Sequence, residues 1–590
     1  MMLAKITANT TMTPSSVPTS ASHQAWRDRI HATLTRLRHL TQQSVQSGWR
    51  SHAAIDSMVT GLNAEKWEQW EPVTVNERGH IAWSRGRQVL WLGQTVTIPT
   101  DLQGYPVDGL LLRLSLTWWA EDAQIFVDGE LVQAGDLFDC AARIVLRSSA
   151  MPGDQIRVAL RLVSPGHDDG ALVRSQLLYE KINTPENLGV TPLNPPLASG
   201  ETPVLPLSKG ELEGVAPEPG FVADELAVLG HYFQAFTPEQ LPILADLIDE
   251  VPWERVKNRE KFDGAIAHLR QQLLPFSHWI KQRTIKLLGH AHLDLAWLWP
   301  IPETWEVAER TFESVLTLQQ DYPQLIFGHS TPMLYEWIEQ HRPDLFKRIQ
   351  TQIQAGTWEV IAGLWVEPEL NGVDGESIVR QVLYGQRYCL EKFGHLSRIA
   401  WLPDTFGFCW QLPQILRQGG IDYFVTQKLR WNDTTEFPHE LFAWRSPDHT
   451  TITSLMSAPI GTTIDPVQMA AYACQWEQAT AHQTCLWLPG VGDHGGGPSR
   501  DMLELVERWQ RSPFFPTLAF SQATDFLDEL QEKNEERRTK TEEHPSSPPP
   551  RKDNAPVLVP PLPSPGKDNA PVLVPPLPSP GKDNAPVLVP

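Results

Sequence analysis

The spacing of apolar residues changes along this chain, and each change predicts a different kind of structure. Residues 23–66 begin with apolar side chains at helical spacing, as in the run from Ile30 to Leu40, and this spacing predicts a helical segment. Residues 67–190 instead show short alternating runs broken by turn residues, such as GLLLRLSLTWW and DQIRVALRLV. Such runs predict antiparallel strands packed as a β-sandwich domain.

The second half of the chain alternates strand-like and helical patterns after a break. Residues 191–220 are crowded with Pro and Gly and predict a linker, whereas residues 221–282 have the spacing of a helical lead-in. Residues 283–535 alternate apolar runs with amphipathic helices, a pattern typical of an α/β domain with mainly parallel strands. The predicted strands are TIKLLGHAHLD, LIFGHS, WEVIAG, RIAWLPD, YFVTQK, TITSLMS and CLWLPGVGDH. Several end in polar residues, and active sites of such folds collect at the carboxyl ends of strands.

The two ends of the chain have compositions that disfavour a packed core. Residues 1–22 are rich in Ser, Thr and Ala without periodicity, and we expect a disordered tail there. Within residues 536–590 the segment KDNAPVLVPPLPSPG recurs at a period of fifteen residues, and this density of proline predicts disordered, extended repeats. The whole pattern predicts a multidomain chain of α/β plus β class, in which an N-terminal β-sandwich precedes the α/β domain.

Charge and composition narrow the classes of partner. A formal net charge of −21 disfavours nucleic acid and anionic membranes, so we expect neither as a partner and a neutral substrate instead. We find no apolar stretch of about 18 residues and no apolar middle of a signal peptide. The five cysteines lie far apart and form no CxxC pair, which fits a reducing compartment. We therefore expect a cytoplasmic protein.

Three histidine and aspartate residues recur at a spacing of two in GHAHLDLAWLWP. A strand would project His290, His292 and Asp294 from one face, and a mixed His/Asp cluster on one face is a pattern of metal ligands. The alternative is a polar strand end whose side chains are satisfied by hydrogen bonds. The tryptophans that follow, Trp297 and Trp299, favour a metal or sugar site.

Two further motifs offer candidate ligands. Asp404 follows an apolar strand and precedes Gly407, which places a carboxylate where a strand gives way to a loop, although in isolation an Asp that caps a helix is the default interpretation. His494 lies among glycines, which let a metal or ligand approach the backbone closely, although it could also belong to a simple loop. Together His292, Asp294, Asp404 and His494 offer two imidazoles and two carboxylates, a set that suits zinc and leaves positions for substrate oxygens.

The motifs GHAHLDLAWLWP, WLPDTFGFCWQLPQI, TQKLRWNDTTEFPHELFAW and GVGDHGGGP, in this order, resemble the family 38 α-mannosidases. The segment GTWEVIAGLWVEPELNGVDGESIVRQVLYGQRYCLEKFG is similar to the branch found in bacteria, fungal vacuoles and the animal cytosol. The resemblance covers roughly residues 223–530. It implies a seven-stranded β/α barrel that is the catalytic domain, a retaining outcome and release of terminal α-linked mannose from an oligosaccharide.

The same resemblance implies roles for individual residues. His292, Asp294, Asp404 and His494 would be the ligands of Zn²⁺, and Asp404 would also be the nucleophile that forms a covalent mannosyl intermediate. Trp297 would lie beneath the bound sugar. Other residues in family-like segments would be pocket wall, buried ion pairs or helix caps: Glu367, Asn371, Arg380, Gln427, Lys428, Trp431 and Asn432.

No residue of the chain is matched to the general acid/base, which we expect beyond the GGGP motif together with a β-rich region. The chain is therefore expected to be C-terminally truncated and weakly active or inactive. Two other functions stay open: an inactive or vestigial fragment that binds mannose, and another metal-dependent carbohydrate hydrolase, such as a deacetylase. An oligomer is possible on the same resemblance.

Overall fold

The computed structural model describes residues 20–53, 61–137, 140–166, 168–181, 217–297, 299–492 and 495–543. Residues 1–19, most of the predicted linker and the proline-rich repeats lie outside these ranges. So do Asp493 and His494. The predicted bounds of the domains stay predictions.

Within the described residues, the N-terminal part is built from one α-helix, two large antiparallel sheets and the two-stranded sheet of β6 and β7. Helix α1 spans Ser20–Arg38. The strands are β1 (Gln42–Ser44), β2 (Arg50–Ala53), β3 (Glu71–Pro72), β4 (Ile81–Trp83), β5 (Val89–Thr97), β6 (Asp101–Leu102), β7 (Tyr105–Pro106), β8 (Leu111–Trp119), β9 (Asp122–Val127), β10 (Glu130–Gly135), β11 (Ala141–Arg147), β12 (Gln155–Val163) and β13 (Gly170–Glu180). One sheet has the order β1-β13-β8-β11 with β4 on β13, and the other has the order β10-β9-β12-β5-β2-β3.

The alternation of apolar residues explains why these strands bury one face. In β8 the side chains of Leu112, Leu114 and Leu116 are completely buried, and in β12 those of Ile156 and Leu162 are as well. Residues from both sheets belong to one continuous apolar core, because a period of two places every second side chain on the same face.

The predicted helical segment over residues 23–66 is wrong over residues 42–53, while residues 54–60 lie outside the described ranges. The chain continues as β1 and β2, and these strands pair with β13 and β5 in the two different sheets. After Leu40 the sequence TQQSVQSGWRS is polar and contains a glycine, so helical propensity is low there. Backbone pairing with strands about 40 or more residues away then decides the conformation.

Helices lead into the second part of the molecule, as the pattern of residues 221–282 predicts. They are α2 (Pro219–Phe236), α3 (Leu241–Asp249), α4 (Arg259–Leu273) and α5 (Ser277–Lys281). Helix α2 packs against α1, and its buried residues belong to the same core as both sheets. The lead-in helices therefore join the N-terminal sheets to the second part of the molecule.

The second part alternates strands and helices along the chain. The strands are β14 (Thr284–Leu287), β15 (Gly289–His290), β16 (Phe327–His329), β17 (Trp358–Val360), β18 (Ile399–Trp401), β19 (Tyr423–Thr426), β20 (Leu441–Arg445), β21 (Thr451–Met456), β22 (Thr484–Trp487) and β23 (Thr517–Phe520). The helices are α6 (Ile301–Asp321), α7 (Pro332–His341), α8 (Pro343–Gln354), α9 (Gly375–Phe393), α10 (Leu412–Gln418), α11 (Pro466–Thr480), α12 (Arg500–Gln510) and α13 (Ala523–Glu543). Each predicted strand run contains a strand, β20 and β23 were not predicted, and α13 continues past residue 535.

Parallel pairing and two isolated bridges connect these strands. Strands β15, β16 and β17 pair in order, as do β18, β19 and β21, and β22 pairs with β14. One bridge joins Ala362, which follows β17, to Ala400 within β18. A second bridge joins Thr462, which follows β21, to Pro489, which follows β22. The fold is thus a mixed α/β structure, and its closure into one seven-stranded barrel stays a prediction.

An ion-pair network joins the N-terminal sheets to α12. Arg508 of α12 pairs with Glu180 at the end of β13, at 2.5 Å, and with Glu218 just before α2. Glu180 also pairs with Arg113 and Arg143, and the three arginines together hold its pKa below the usual value despite burial. Because α12 begins directly after the GGGP motif, this network connects the N-terminal part to the loop that carries a predicted ligand.

None of the helices within the described ranges is long and apolar enough to cross a membrane. All five cysteines lie in described segments, and none of them forms a disulfide.

Candidate metal centre

His292 and Asp294 lie in the loop that follows β15, not on the strand. The strand ends at His290, so the prediction that His290, His292 and Asp294 project from one strand face is wrong. His290 is buried, its Nδ1 lies 2.9 Å from the carbonyl oxygen of Gly328, and its Nε2 accepts a hydrogen bond from Trp401. Both ring nitrogens of His290 are therefore satisfied by protein groups, which is the alternative that the sequence left open.

Three of the four predicted ligands come together. The ligand atoms of His292, Asp294 and Asp404 all lie within 4.8 Å of one another. Nε2 of His292 is 3.0 Å from Oδ1 of Asp294 and 3.8 Å from Oδ2 of Asp404. One imidazole nitrogen and two carboxylate oxygens thus converge on one point, although Asp404 is more than 100 residues away from the other two along the chain.

The environment of His292 is buried and negative. Burial alone lowers its pKa, but the hydrogen bond to Asp294 and the charges of Glu367, Asp294 and Asp404 outweigh burial and raise the pKa to about 9. A cation is therefore favoured between these carboxylates. In the absence of a metal, the protonated imidazole supplies that charge.

The carboxylate of Glu367 lies next to Asp404 and His292. One of its carboxylate oxygens accepts hydrogen bonds from the backbone N–H of Asp404 at 2.6 Å and from the Thr405 hydroxyl at 3.1 Å. Its other oxygen lies 3.7 Å from Nδ1 of His292. Burial raises the pKa of Glu367, while the nearby His292 charge lowers it. At 3.7 Å the carboxylate is close to His292 without a hydrogen bond, so Glu367 holds Asp404 directly and acts on His292 through its charge.

Lys428 contacts the other side of Asp404. Its ammonium group forms an ion pair with Oδ1 of Asp404, and the lysine side chain is only 4% exposed. The same ammonium lies 3.1 Å from the ring centre of Trp431 and 4.3 Å from that of Phe406, and both rings are largely exposed. From the sequence, Lys428 and Trp431 could have been pocket wall, members of buried ion pairs or helix caps.

The loop after Asp294 carries the predicted sugar-contacting residue. Trp297 is 52% exposed, and its ring centre lies 6.2 Å from that of Trp299. Trp299 donates a hydrogen bond to the hydroxyl of Thr304, which itself donates to the carbonyl oxygen of Asp294. The loop is thus tied to the start of α6, and the role of Trp297 under a sugar stays a prediction.

The glycine-rich loop after β22 closely approaches the backbone of His290 and His292. His494, the fourth predicted ligand, lies outside the described residues, but the backbone N–H of Gly495 donates to the carbonyl oxygen of His292 at 3.2 Å. A Cβ added to Gly490 would lie 1.9 Å from the carbonyl oxygen of His290. Only glycine fits at position 490, because backbone atoms occupy the space of a side chain.

The remaining residues from family-like segments lie in different places. Arg380 is exposed on α9 and pairs with Glu376. The Asn371 amide lies where a Cβ on Gly407 would be, and the buried Gln427 accepts a hydrogen bond from the backbone of Ile460. Asn432 is exposed beside Trp431. Of this group, Glu367 and Lys428 contact the three clustered ligands directly.

The donor set fits a zinc ion. Imidazole nitrogen and carboxylate oxygen are both common ligands of zinc, and a site with few protein ligands leaves positions for a substrate. The identity of the metal remains a prediction.

Residues 282–549 match the family described as "Glycosyl hydrolases family 38 N-terminal domain". Curated relatives include α-mannosidase G of Dictyostelium discoideum, at 32% identity over 47% of this chain and 26% of the relative. They also include α-mannosidase 2C1 of Homo sapiens, at 36% identity over 43% and 25%. A solved α-mannosidase from Enterococcus faecalis V583 is 22% identical, covering 42% of this chain and 29% of that one, with a TM-score of 0.36.

The chain spans about a quarter of the length of the curated relatives that it matches. A third relative, an α-mannosidase of Saccharomyces cerevisiae, is 38% identical over 38% of this chain and 21% of its own length. The matched segment contains His292, Asp294 and Asp404, the three residues that the fold brings together. Residues 282–549 of this chain are therefore similar to the N-terminal domain of family 38 of the glycosyl hydrolases, and the relatives named here are α-mannosidases.

Proposed function

We propose that this chain carries the zinc centre and the nucleophile of a retaining α-mannosidase that releases terminal α-linked mannose. The observation that carries the proposal is the cluster of His292, Asp294 and Asp404, whose ligand atoms lie within 4.8 Å of one another. The relatives named above as α-mannosidases support the choice of substrate.

His292, Asp294 and Asp404 would hold the metal, with His494 as the predicted fourth ligand. When bound, zinc would supply a positive charge that holds sugar hydroxyls and favours the distorted ring of the transition state. The Asp404 carboxylate would attack C1 of the sugar, forming a C1–O bond as the bond to the leaving oxygen breaks. Water would then hydrolyse this covalent mannosyl intermediate, and two inversions would leave the configuration at C1 unchanged. Trp297 would offer its exposed ring to one face of the sugar.

A retaining enzyme also needs a carboxylic acid about 5 to 5.5 Å from the nucleophile, which protonates the leaving oxygen. Glu367 is a poor candidate, because one of its oxygens accepts hydrogen bonds from the backbone N–H of Asp404 and from Thr405, and the other faces the ring of His292. We therefore propose that a carboxyl group other than Glu367 donates this proton. A substrate whose leaving group needs no proton, such as α-mannosyl fluoride, tests the nucleophile and the metal ligands independently of that acid.

The test uses the full chain loaded with zinc and α-mannosyl fluoride as substrate. We expect release of mannose of retained configuration, seen by NMR, and a transient mass increase of one hexosyl group that maps to Asp404. The Asp404→Asn variant should lose hydrolysis by several orders of magnitude while its circular dichroism is unchanged. Mannose binding without any cleavage would favour a vestigial binding fragment, and release of acetate from acetylated sugars would favour a deacetylase.

We also retain three finer proposals that rest on the amino-acid sequence. They are a cytoplasmic location, a seven-stranded barrel and assembly into an oligomer.

A further inference from the structure

We propose that Lys428 is a positioning residue that reserves one oxygen of Asp404, so that Asp404 presents a single oxygen to the metal. This inference rests on the proposed function, because it assumes that His292, Asp294 and Asp404 bind a metal. It concerns a lysine for which the sequence suggested only pocket wall or a buried ion pair.

The two oxygens of Asp404 face different partners. Oδ2 points to the ligand cluster and lies 3.8 Å from Nε2 of His292, whereas Oδ1 forms the ion pair with Lys428. The backbone N–H of Asp404 is held by Glu367, so the residue is fixed at the main chain as well as at the side chain. A carboxylate held at both ends in this way cannot rotate to offer both oxygens to one ion.

Lys428 is itself held in place. Its backbone N–H donates to the hydroxyl of the buried Thr426 at 3.2 Å. Two residues later, Arg430 donates to the carbonyl oxygen of Ser457 and pairs with Glu440 at 2.5 Å, which fixes the short helical turn that contains Lys428. Two aromatic rings, Phe406 and Trp431, cover the ammonium group.

Burial makes the ion pair hard to break. An ammonium group removed from water without a partner costs several kcal/mol, so the lysine remains with its carboxylate. The faces of the aromatic rings attract the same cation and add to this preference. Lys428 therefore keeps Oδ1 of Asp404 directed away from the metal whether or not a metal is present, and Oδ1 retains a lone pair with which to attack C1 of the sugar.

The consequence for a bound metal is a lower coordination number. A carboxylate that binds through one oxygen takes one position on the ion, whereas one that binds through both oxygens takes two. A reactive centre needs open positions for substrate oxygens. Lys428 would thus keep one coordination position of the metal free for substrate, because Asp404 would fill that position if it bound through both oxygens.

The experiment measures the visible absorption of the full chain loaded with one equivalent of Co²⁺, because cobalt absorbs more weakly as its coordination number rises. We expect Lys428→Met to bind cobalt and to show a several-fold loss of absorption, since Asp404 becomes free to bind through both oxygens. Lys428→Arg retains the charge and should keep the spectrum of the parent chain. Should the methionine variant not fold, Lys428→Gln makes the same prediction.

Lys286→Met is the matched control, because Lys286 forms a similar partly buried ion pair with Glu529, at 2.6 Å, away from the ligand cluster. It should leave the cobalt spectrum unchanged even if it lowers stability. A parent spectrum in Lys428→Met at full cobalt occupancy would overturn the role of Lys428 and leave the metal centre intact. Failure of the parent chain to bind cobalt would instead overturn the metal centre itself, and with it the role of Lys428 towards a metal.

Discussion

Individual backbone positions around the ligand loop are sensitive to a single methyl group. At Gly490 an added Cβ meets the carbonyl oxygen of His290 at 1.9 Å, and neither main chain can move without disturbing the paired strands. The approach of two backbones explains this glycine, since its φ angle is ordinary. The glycine-rich loop therefore contributes close packing as well as a predicted ligand.

Gly490→Ala should lower the free energy of unfolding by about 3 kcal/mol or prevent soluble expression, because the clash involves backbone atoms. The measurement is urea unfolding followed by circular dichroism. Gly264→Ala is the control: Gly264 is exposed in the middle of α4 with open space around it. There alanine should stabilise the protein by about 0.5 to 1 kcal/mol, because glycine is a poor residue inside a helix. Equal effects of the two substitutions would contradict this explanation.

At the scale of single elements, α12 carries an unusual carboxyl group in its first turn. Asp501 is buried, and its Oδ1 lies 3.5 Å from Nε of Arg143 without a hydrogen bond. Burial raises the pKa of Asp501 to about 6, although the charges of Arg143 and Arg174 oppose the rise. The folded protein thus binds a proton at this site more tightly than the unfolded chain does.

The contribution of Asp501 to stability is complete below its ordinary pKa of 3.8 and is lost as the pH rises through about 6. Asn resembles the protonated acid, so its contribution to stability should not change with pH. The unfolding free energy of Asp501→Asn relative to that of the parent chain should therefore increase from pH 4.5 to pH 7.5. The gain should be on the order of 2 kcal/mol. Urea unfolding at both pH values measures it. Asp525→Asn, at an exposed position in the first turn of α13, serves as the control. A gain that is independent of pH would argue against the raised pKa.

At the scale of the whole molecule, the N-terminal sheets share one apolar core with part of residues 284–530. The network around Glu180 adds a polar connection between β13, the start of α2 and α12. Because apolar residues of both parts pack in the same core, we expect the two parts to unfold in a single transition. Fluorescence and circular dichroism should report the same midpoint, and two separated midpoints would show that the parts are independent.

Arg508→Met tests the polar connection. The substitution leaves Glu218 without its ion pair and removes one of the three arginines that hold Glu180, so the loss of stability should be about 3 kcal/mol. Arg387→Met, at an exposed helical pair with Glu391, should leave the unfolding free energy almost unchanged, because solvent screens an exposed pair. Denaturant unfolding of both variants measures the difference, and similar small losses would mean that the network contributes little.

The sequence by itself indicated most of the strands and helices and offered the candidate ligands. The strand runs of residues 283–535 were readable because periodicity and turn residues are local signals. His292, Asp294 and Asp404 were recognisable because their motifs are short and contiguous, whereas His494 lies outside the described residues.

Only the tertiary structure decided how these residues are held. His290 is satisfied by Gly328 and Trp401, while Glu367 and Lys428 hold Asp404 from two sides. Strands β1 and β2 also formed against the local pattern, because they pair with distant strands. Each of these outcomes depends on contacts between residues far apart in the chain. Such contacts leave no periodic trace in the sequence, because they arise only when the core packs.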